Sequence, residues 1–151
     1  MRVYRLCKAQ YSEHVLGGEG GLVADGRWHT AGRRIVYCAT SEALAVLEVR
    51  VHVGRFIPNV PFAMHTLEVP DVLIHVQPAR DLPEDWSAVP HRPASQAIGD
   101  AWLQKGRHVA LRVPSLHSRS DANVLLNPAH RDLSRVRLID TVPYRFDTRL
   151  F

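Results

Sequence analysis

Short apolar stretches bounded by glycine, proline and polar turns set the rhythm of this chain. They predict strands at Val3–Cys7, Arg33–Thr40, Ala63–Val69, Val72–Val76, His108–Val113, Asn123–Leu126, Val136–Ile139 and Tyr144–Phe146, the last two lying around Pro143. In the first strand Tyr4 and Leu6 fall on one face, and Val3, Arg5 and Cys7 on the other. A helical period appears in two places. Ser41 is a good N-cap and Glu42 suits the positive end of a helix dipole, so a helix begins there. Leu44, Leu47 and Val51 predict its buried stripe, and Ala45, Glu48 and His52 run one residue further on, so Glu48 borders the apolar face. The Val49–Val53 alternation reads equally well as a strand and leaves the end of this helix open. Ser95–Lys105 is the second helix, with Ala97, Ile98, Ala101 and Trp102 sharing one apolar face and Gly106 as its stop.

Tyr11–Leu16 reads as a brief helical turn. The run Gly17-Gly18-Glu19-Gly20-Gly21 lacks both the GxGxxG spacing and the flanking elements of a phosphate loop, so it reads as a mobile surface loop. Gln77–Pro93 carries Pro78, Pro83, Pro90 and Pro93 and is expected as an ordered wrapping loop. Leu116–Asp121 is a polar loop and Asn127-Pro128 a turn. Strands outnumber helices and show no regular βαβ alternation. The pattern predicts one α+β domain over residues 1–151 with a mixed, largely antiparallel sheet, in preference to a doubly wound nucleotide fold.

Composition narrows the functional classes. With 151 residues, 46% hydrophobic and 23% charged, the chain has enough material for a core without metals or disulfides. Its net charge of +4 is almost all arginine, since Lys8 and Lys105 are the two lysines, and the arginines are scattered rather than gathered on one arm. Arginine suits bidentate contacts to phosphate or carboxylate, so an anionic small molecule or an acidic protein partner is favoured over direct nucleic-acid binding. Cys7 and Cys38 lack CxxC spacing and read as free thiols of a reducing compartment, although pairing stays open. No signal-peptide pattern and no membrane-length apolar run is present, and a cytoplasmic protein is expected. The nine histidines are dispersed without an HExxH motif, so no metal site is expected.

Three residues on successive elements invite a shared cleft: Arg27 in the Gly26-Arg27-Trp28 turn, Tyr37 in a strand and Glu48 in the next helix. Glu48 is either a partly desolvated carboxylate available for chemistry or a solvated one paired with Arg50 or His52. Arg27 beside Trp28 either grips an anion or is an ordinary surface arginine. Tyr37 reads by default as a core tyrosine whose hydroxyl has a partner. Ser115 follows a proline at a strand end, but His117 is too close in sequence to serve as the base of a serine-hydrolase triad.

Gly26-Arg27-Trp28, Arg34-Ile35-Val36-Tyr37, Ala43 to Val49, Val113-Pro114-Ser115 and Asn123 to Pro128, in this order, resemble the RES domain family. That family supplies the toxins of RES–Xre type II toxin–antitoxin pairs, and the resemblance runs from Tyr4-Arg5 to about Leu138. It implies a fold related to ADP-ribosyltransferases and cleavage of NAD⁺ at the nicotinamide–ribose bond. It also implies Arg27, Tyr37, Glu48 and Ser115 as active-site positions, with Trp28 and Asn123 as substrate-binding companions. The chain departs from the family's usual glycine and asparagine at Asp25 and His29. NAD⁺ is then a substrate and no cofactor is implied. Water would make the protein a glycohydrolase, phosphate a phosphorylase and a protein side chain an ADP-ribosyltransferase, with a non-catalytic nucleotide-binding module as the alternative class. An Xre-like antitoxin with a helix-turn-helix domain is the implied partner, DNA contact belonging to it, and a homodimer is compatible with the sequence without being required by it.

Overall fold

The computed structural model describes residues 1–54 and 59–151. Among the described residues seven strands form one sheet: β1 (Arg2–Lys8), β2 (Val36–Ala39), β3 (Phe62–Glu68), β4 (Ile74–Val76), β5 (Ala110–Pro114), β6 (Ala122–Leu126) and β7 (Arg137–Tyr144). Their order is β4-β5-β6-β2-β1-β3-β7, with β4 and β5 parallel and the other neighbours antiparallel. The helices are α1 (Gly20–Val23), α2 (Glu42–His52) and α3 (Pro93–Lys105). The expected α+β architecture with a mixed, largely antiparallel sheet is the one observed.

Cross-strand partners share a face, so the registers sort the sheet's two sides. Val3, Val36, Cys38, Leu67, Ala110, Val124 and Leu126 fill one side, closed over by Val69, Leu73 and Val136. On the other side Leu6, Ala39, Phe62 and Met64 meet Leu44 and Ala45 of α2. Further along that side Leu111, Val113 and Leu125 meet Trp28 and Trp102 of α3. Tyr37 and Asn123 lie between the two helix-covered patches. Here the sheet is also at its weakest, because β1 and β2 share one register pair, Tyr4 with Ala39. A side chain bridges the opening: Arg5 Nη1 donates to the Tyr37 carbonyl at 2.9 Å.

Four sequence readings need correction. The buried face of α2 is Leu44 and Ala45 with Val46, Val49 and Val53 partly buried, whereas Leu47 (41%) and Val51 (52%) are exposed. The helix is turned further than its apolar spacing suggested, because the small Ala45 seats it on the sheet, and the turn brings Glu48 toward the sheet. In α3 the buried residues are Ser95, Gln96, Gly99 and Trp102, not Ala97 and Ile98. A backbone turn, not an apolar surface, lies against that helix face. The strand expected at Val136–Ile139 runs on through Pro143 to Tyr144 as β7, leaving Arg145 and Phe146 outside it, and the proline is tolerated because β7 is an edge strand. Finally, Gly20 and Gly21 open α1, and Gly21 is buried where an added Cβ would lie 2.3 Å from the Arg33 carbonyl oxygen. The glycine-rich run is therefore partly a packed element rather than a mobile loop. Smaller shifts shorten β2 to Val36–Ala39 and β4 to Ile74–Val76, the latter led in by a 3₁₀ turn at Asp71–Leu73.

Two interior histidines predict a pH response. Burial pushes the pKa of His29 and of His65 below the usual imidazole value. Both therefore fold in the neutral form, while the unfolded chain takes up protons more readily. Stability from this source is complete above about pH 6.5 and declines as the pH falls below that value toward the folded-state pKa. Thermal unfolding followed from pH 7.5 to 5 should show a falling midpoint below about pH 6.5; a constant midpoint would contradict the buried neutral assignment.

Candidate active site

The turn at Gly26–His29 is a tight antiparallel bridge in which Gly26 N–H donates to the His29 carbonyl at 3.0 Å. Trp28 points into the core and is 1% exposed, and neighbouring Arg27 lines the cleft that α2 borders together with Val89–His91. One face of α3 clamps this turn. Gln96 Nε2 donates to the carbonyls of Gly26 (3.1 Å) and His29 (3.2 Å), and Asp100 accepts from the Thr30 N–H and hydroxyl. Gly99 sits so close that a Cβ there would lie 1.8 Å from the Trp28 carbonyl oxygen. Positions 96, 99 and 100 are the i, i+3, i+4 set of one helical face.

Arg27 is anchored a second time from the other side. Its Nη1 donates to the carbonyls of Trp86 (2.6 Å) and Ala88 (2.9 Å), and the Trp86 ring stacks on Trp28 at 6.1 Å. Among the described residues its other guanidinium donors have no hydrogen-bond partner, and the side chain lines the cleft. Burial lowers the Arg27 pKa while Glu48 and Tyr37 oppose that shift, and an arginine so placed remains a cation.

Tyr37 stands on β2 at the edge of the sheet opening, and its hydroxyl is engaged. His29 Nε2 lies 3.0 Å from the Ala24 carbonyl, which can only accept, so Nε2 carries the proton. In the neutral ring Nδ1 then accepts, and the Tyr37 hydroxyl donates to it at 2.8 Å while accepting the Trp28 N–H at 3.3 Å. Burial raises the phenol pKa strongly, which keeps it protonated. Tyr37 thus offers the cleft its ring more than its hydroxyl.

Glu48 comes from the sheet-facing side of α2. Asn123 on β6 donates from Nδ2 to Glu48 Oε1 at 2.9 Å, and His117 Nε2 lies 3.8 Å from Oε2. The side chains of Glu48 and His117 are 31% and 27% exposed, so the carboxylate is neither free in solvent nor sealed in the core. Arg50, one of its suggested helix partners, is committed elsewhere: it donates to the carbonyls of Leu150 and Gly54 and lies over the Phe151 ring.

Arg27, Tyr37, Glu48 and Asn123 line one cleft of about 720 Å³, a size within the range of small-molecule sites. Trp28 also borders the cleft, 1% exposed and with its side chain packed in the core. One expected residue is placed differently. Ser115 is 9% exposed and does not line the cleft; its Oγ accepts the His117 N–H at 3.0 Å and so shapes the loop that carries His117. Sequence reasoning gave no site role to His117, His29 or Gln96. Two signals were available: a polar Gln96 on the buried side of a helix, and a histidine two positions beyond a strand-end serine. Among the described residues no three His, Cys, Asp or Glu side chains gather as a metal site, no helix is long and apolar enough to cross a membrane, and both cysteines are free.

Comparison with known proteins places this geometry among relatives. Residues 2–147 match the model of the RES domain. A protein of Photorhabdus laumondii named Toxin Res is 36% identical over 99% of this chain and 97% of its own length. The Prs ADP-ribosylating toxin of a Sphingobium species is 34% identical over 93% of this chain and 89% of its own length. The fold is similar to a chain in the crystal structure of the M. tuberculosis MbcT–MbcA toxin–antitoxin complex, with a TM-score of 0.76 and 21% identity over 95% of this chain and 84% of that one.

Proposed function

The chain belongs to the RES domain family, and from that premise we propose that it is the toxin of a toxin–antitoxin pair and degrades NAD⁺ by cleaving the nicotinamide–ribose bond, with water or phosphate as acceptor. The observation that carries this reading is a carboxylate, Glu48, held by Asn123 in the same cleft as Arg27 and Tyr37. A module that only bound anions would gain nothing from a carboxylate there.

The residue types fit the reaction. The bond to be broken joins ribose C1 to a cationic pyridinium nitrogen, and the electron pair leaves with neutral nicotinamide, so no strong acid is needed. Positive charge builds on the ribose instead, and a positioned carboxylate is worth most against such charge in a partly dry cleft. Glu48 takes that role and holds the ribose hydroxyls. Arg27, with one nitrogen tied to the carbonyls of Trp86 and Ala88, directs its other donors to the diphosphate. Tyr37 presents its ring to the nicotinamide, and Ser115 orders the neighbouring loop.

The partner in this reading is an Xre-like antitoxin with a helix-turn-helix domain that covers the cleft, so DNA contact belongs to the partner, and the site of action is the cytoplasm. The solved toxin–antitoxin complex of similar fold supports an antitoxin partner. A second reading, transfer of ADP-ribose to a protein, has its own support in the name of the Sphingobium relative. Both share the first bond cleavage. Inducing the chain in a bacterial host separates them: growth arrest with a collapsing NAD⁺ pool supports degradation, and arrest with an intact pool and an ADP-ribosylated protein supports transfer.

A further inference from the structure

His117 has no part in the assignment above, yet it is the ring that faces Glu48 across the cleft. The loop that bears it is held at both ends. Ser115 Oγ accepts the His117 N–H, Ser118 Oγ accepts the Asp121 N–H at 3.1 Å and donates to Asp121 Oδ2 at 2.9 Å, and Thr40 Oγ1 accepts the Ala122 N–H at 2.9 Å. The loop's acidic residue, Asp121, is thereby turned away into hydrogen bonds with Ser118 and Thr40. The charged and titratable groups lining the cleft besides His117 are Glu48 and His52 from α2, Asp25, Arg27 and His29 from the turn, Tyr37 and Cys38 from β2, Tyr4, Arg5, Cys7 and Lys8 from β1, and His91 from the proline-rich loop, and among them His117 is the one set against Glu48, 3.8 Å from its Oε2. Arg27 and Arg5 cannot take a proton, the Tyr37 hydroxyl is spent on His29, and one oxygen of Glu48 is spent on Asn123.

We propose that His117 is the group that removes the proton of the acceptor, and that the acceptor is therefore a neutral hydroxyl, water in the simplest case. Ser115 is then a positioning residue acting through His117. This deepens the NAD⁺-cleaving reading and rests on it. The ribose C1–nitrogen bond breaks with its electron pair leaving on nicotinamide, and a lone pair of the acceptor oxygen forms the new C1–oxygen bond. The acceptor proton passes to an unprotonated imidazole nitrogen of His117 and from there to solvent. NAD⁺ and water thus give ADP-ribose, nicotinamide and one proton. A base is of use only to an acceptor that has a proton to lose, and the carboxylate 3.8 Å away opposes the approach of a dianion such as phosphate.

The test compares purified wild type, His117→Gln and His117→Ala by nicotinamide release at saturating NAD⁺, with folding checked by circular dichroism. Both variants should lose about 10²- to 10⁴-fold in kcat with little change in KM. Azide, an anion with no proton to give up, should restore release in His117→Ala at least about tenfold and appear in the ribosyl product, because a small nucleophile that needs no base replaces the missing one. Undiminished kcat in the folded variants, or a loss that azide does not relieve, overturns the role of His117. Absence of release by the wild type overturns instead the NAD⁺-cleaving reading on which it stands.

Discussion

Glu48→Gln is expected to lower nicotinamide release by about 10³-fold while leaving the thermal unfolding midpoint within about a degree of wild type. Glutamine has the same shape, and its amide oxygen can still accept the Asn123 hydrogen bond that Glu48 Oε1 accepts at 2.9 Å. What it lacks is negative charge opposite the ribose at the moment when that ring becomes cationic, so the loss falls on kcat rather than on NAD⁺ binding. The free protein does not depend on that charge for stability, since the carboxylate is partly exposed and Arg50 bonds elsewhere. Steady-state kinetics with chromatographic detection of nicotinamide decides the matter, and an active Glu48→Gln protein would remove the carboxylate from the mechanism.

Gly99→Ala should have the largest effect on the scaffold, although it adds a single methyl group. A Cβ at this position lies 1.8 Å from the Trp28 carbonyl oxygen, and the obstacle is backbone that cannot swing aside. The conflict is relieved by separating α3 from the turn, which also pulls Gln96 and Asp100 from their contacts with it. Overpacking of this kind costs about 2–3 kcal/mol, which for a domain of this size lowers the unfolding midpoint by about 5–10 °C. Arg27 rides on the same turn, so NAD⁺ cleavage by the fraction that stays folded should fall by about 10²-fold. Calorimetry and kinetics on one preparation check both statements. An unchanged midpoint would mean that α3 does not approach the turn as closely as described.

Much of this architecture was legible because strands announce themselves by local composition. The alternation of β1 and the apolar stretch of β6 became strands near their expected limits, and the Ile35–Ala39 run became the shorter β2. The start of α2 was equally clear, and Ser41 Oγ does accept the Leu44 N–H at 3.1 Å. Errors arose where a partner distant in sequence decides the outcome. Leu47 looks like a core residue until the sheet under α2 selects Ala45 and Val49 instead. Ala97 looks like the packed side of α3 until the Trp28 backbone selects Gly99. Pro143 looks like a break until the strand proves to lie at the sheet's edge, where a missing N–H is harmless.

For the site, position alone could not separate Glu48 from an ordinary helix glutamate; the ordered series of motifs singled it out, and the structure then supplied its neighbours. The hydrogen-bond chain through Ala24, His29, Tyr37 and Trp28 was beyond the reach of spacing, because it joins a turn to a strand through side chains. His117 was set aside as a triad base for Ser115. The geometry gives the two a different relation, with the serine fixing the loop and the histidine facing Glu48.

The most direct test is to incubate the purified chain, free of any partner protein, with NAD⁺ and to follow both nicotinamide and the ribosyl product by chromatography, with and without inorganic phosphate. The account predicts nicotinamide appearing in step with the loss of NAD⁺, with free ADP-ribose as the product in either buffer. NAD⁺ left intact by protein that circular dichroism reports as folded would contradict it.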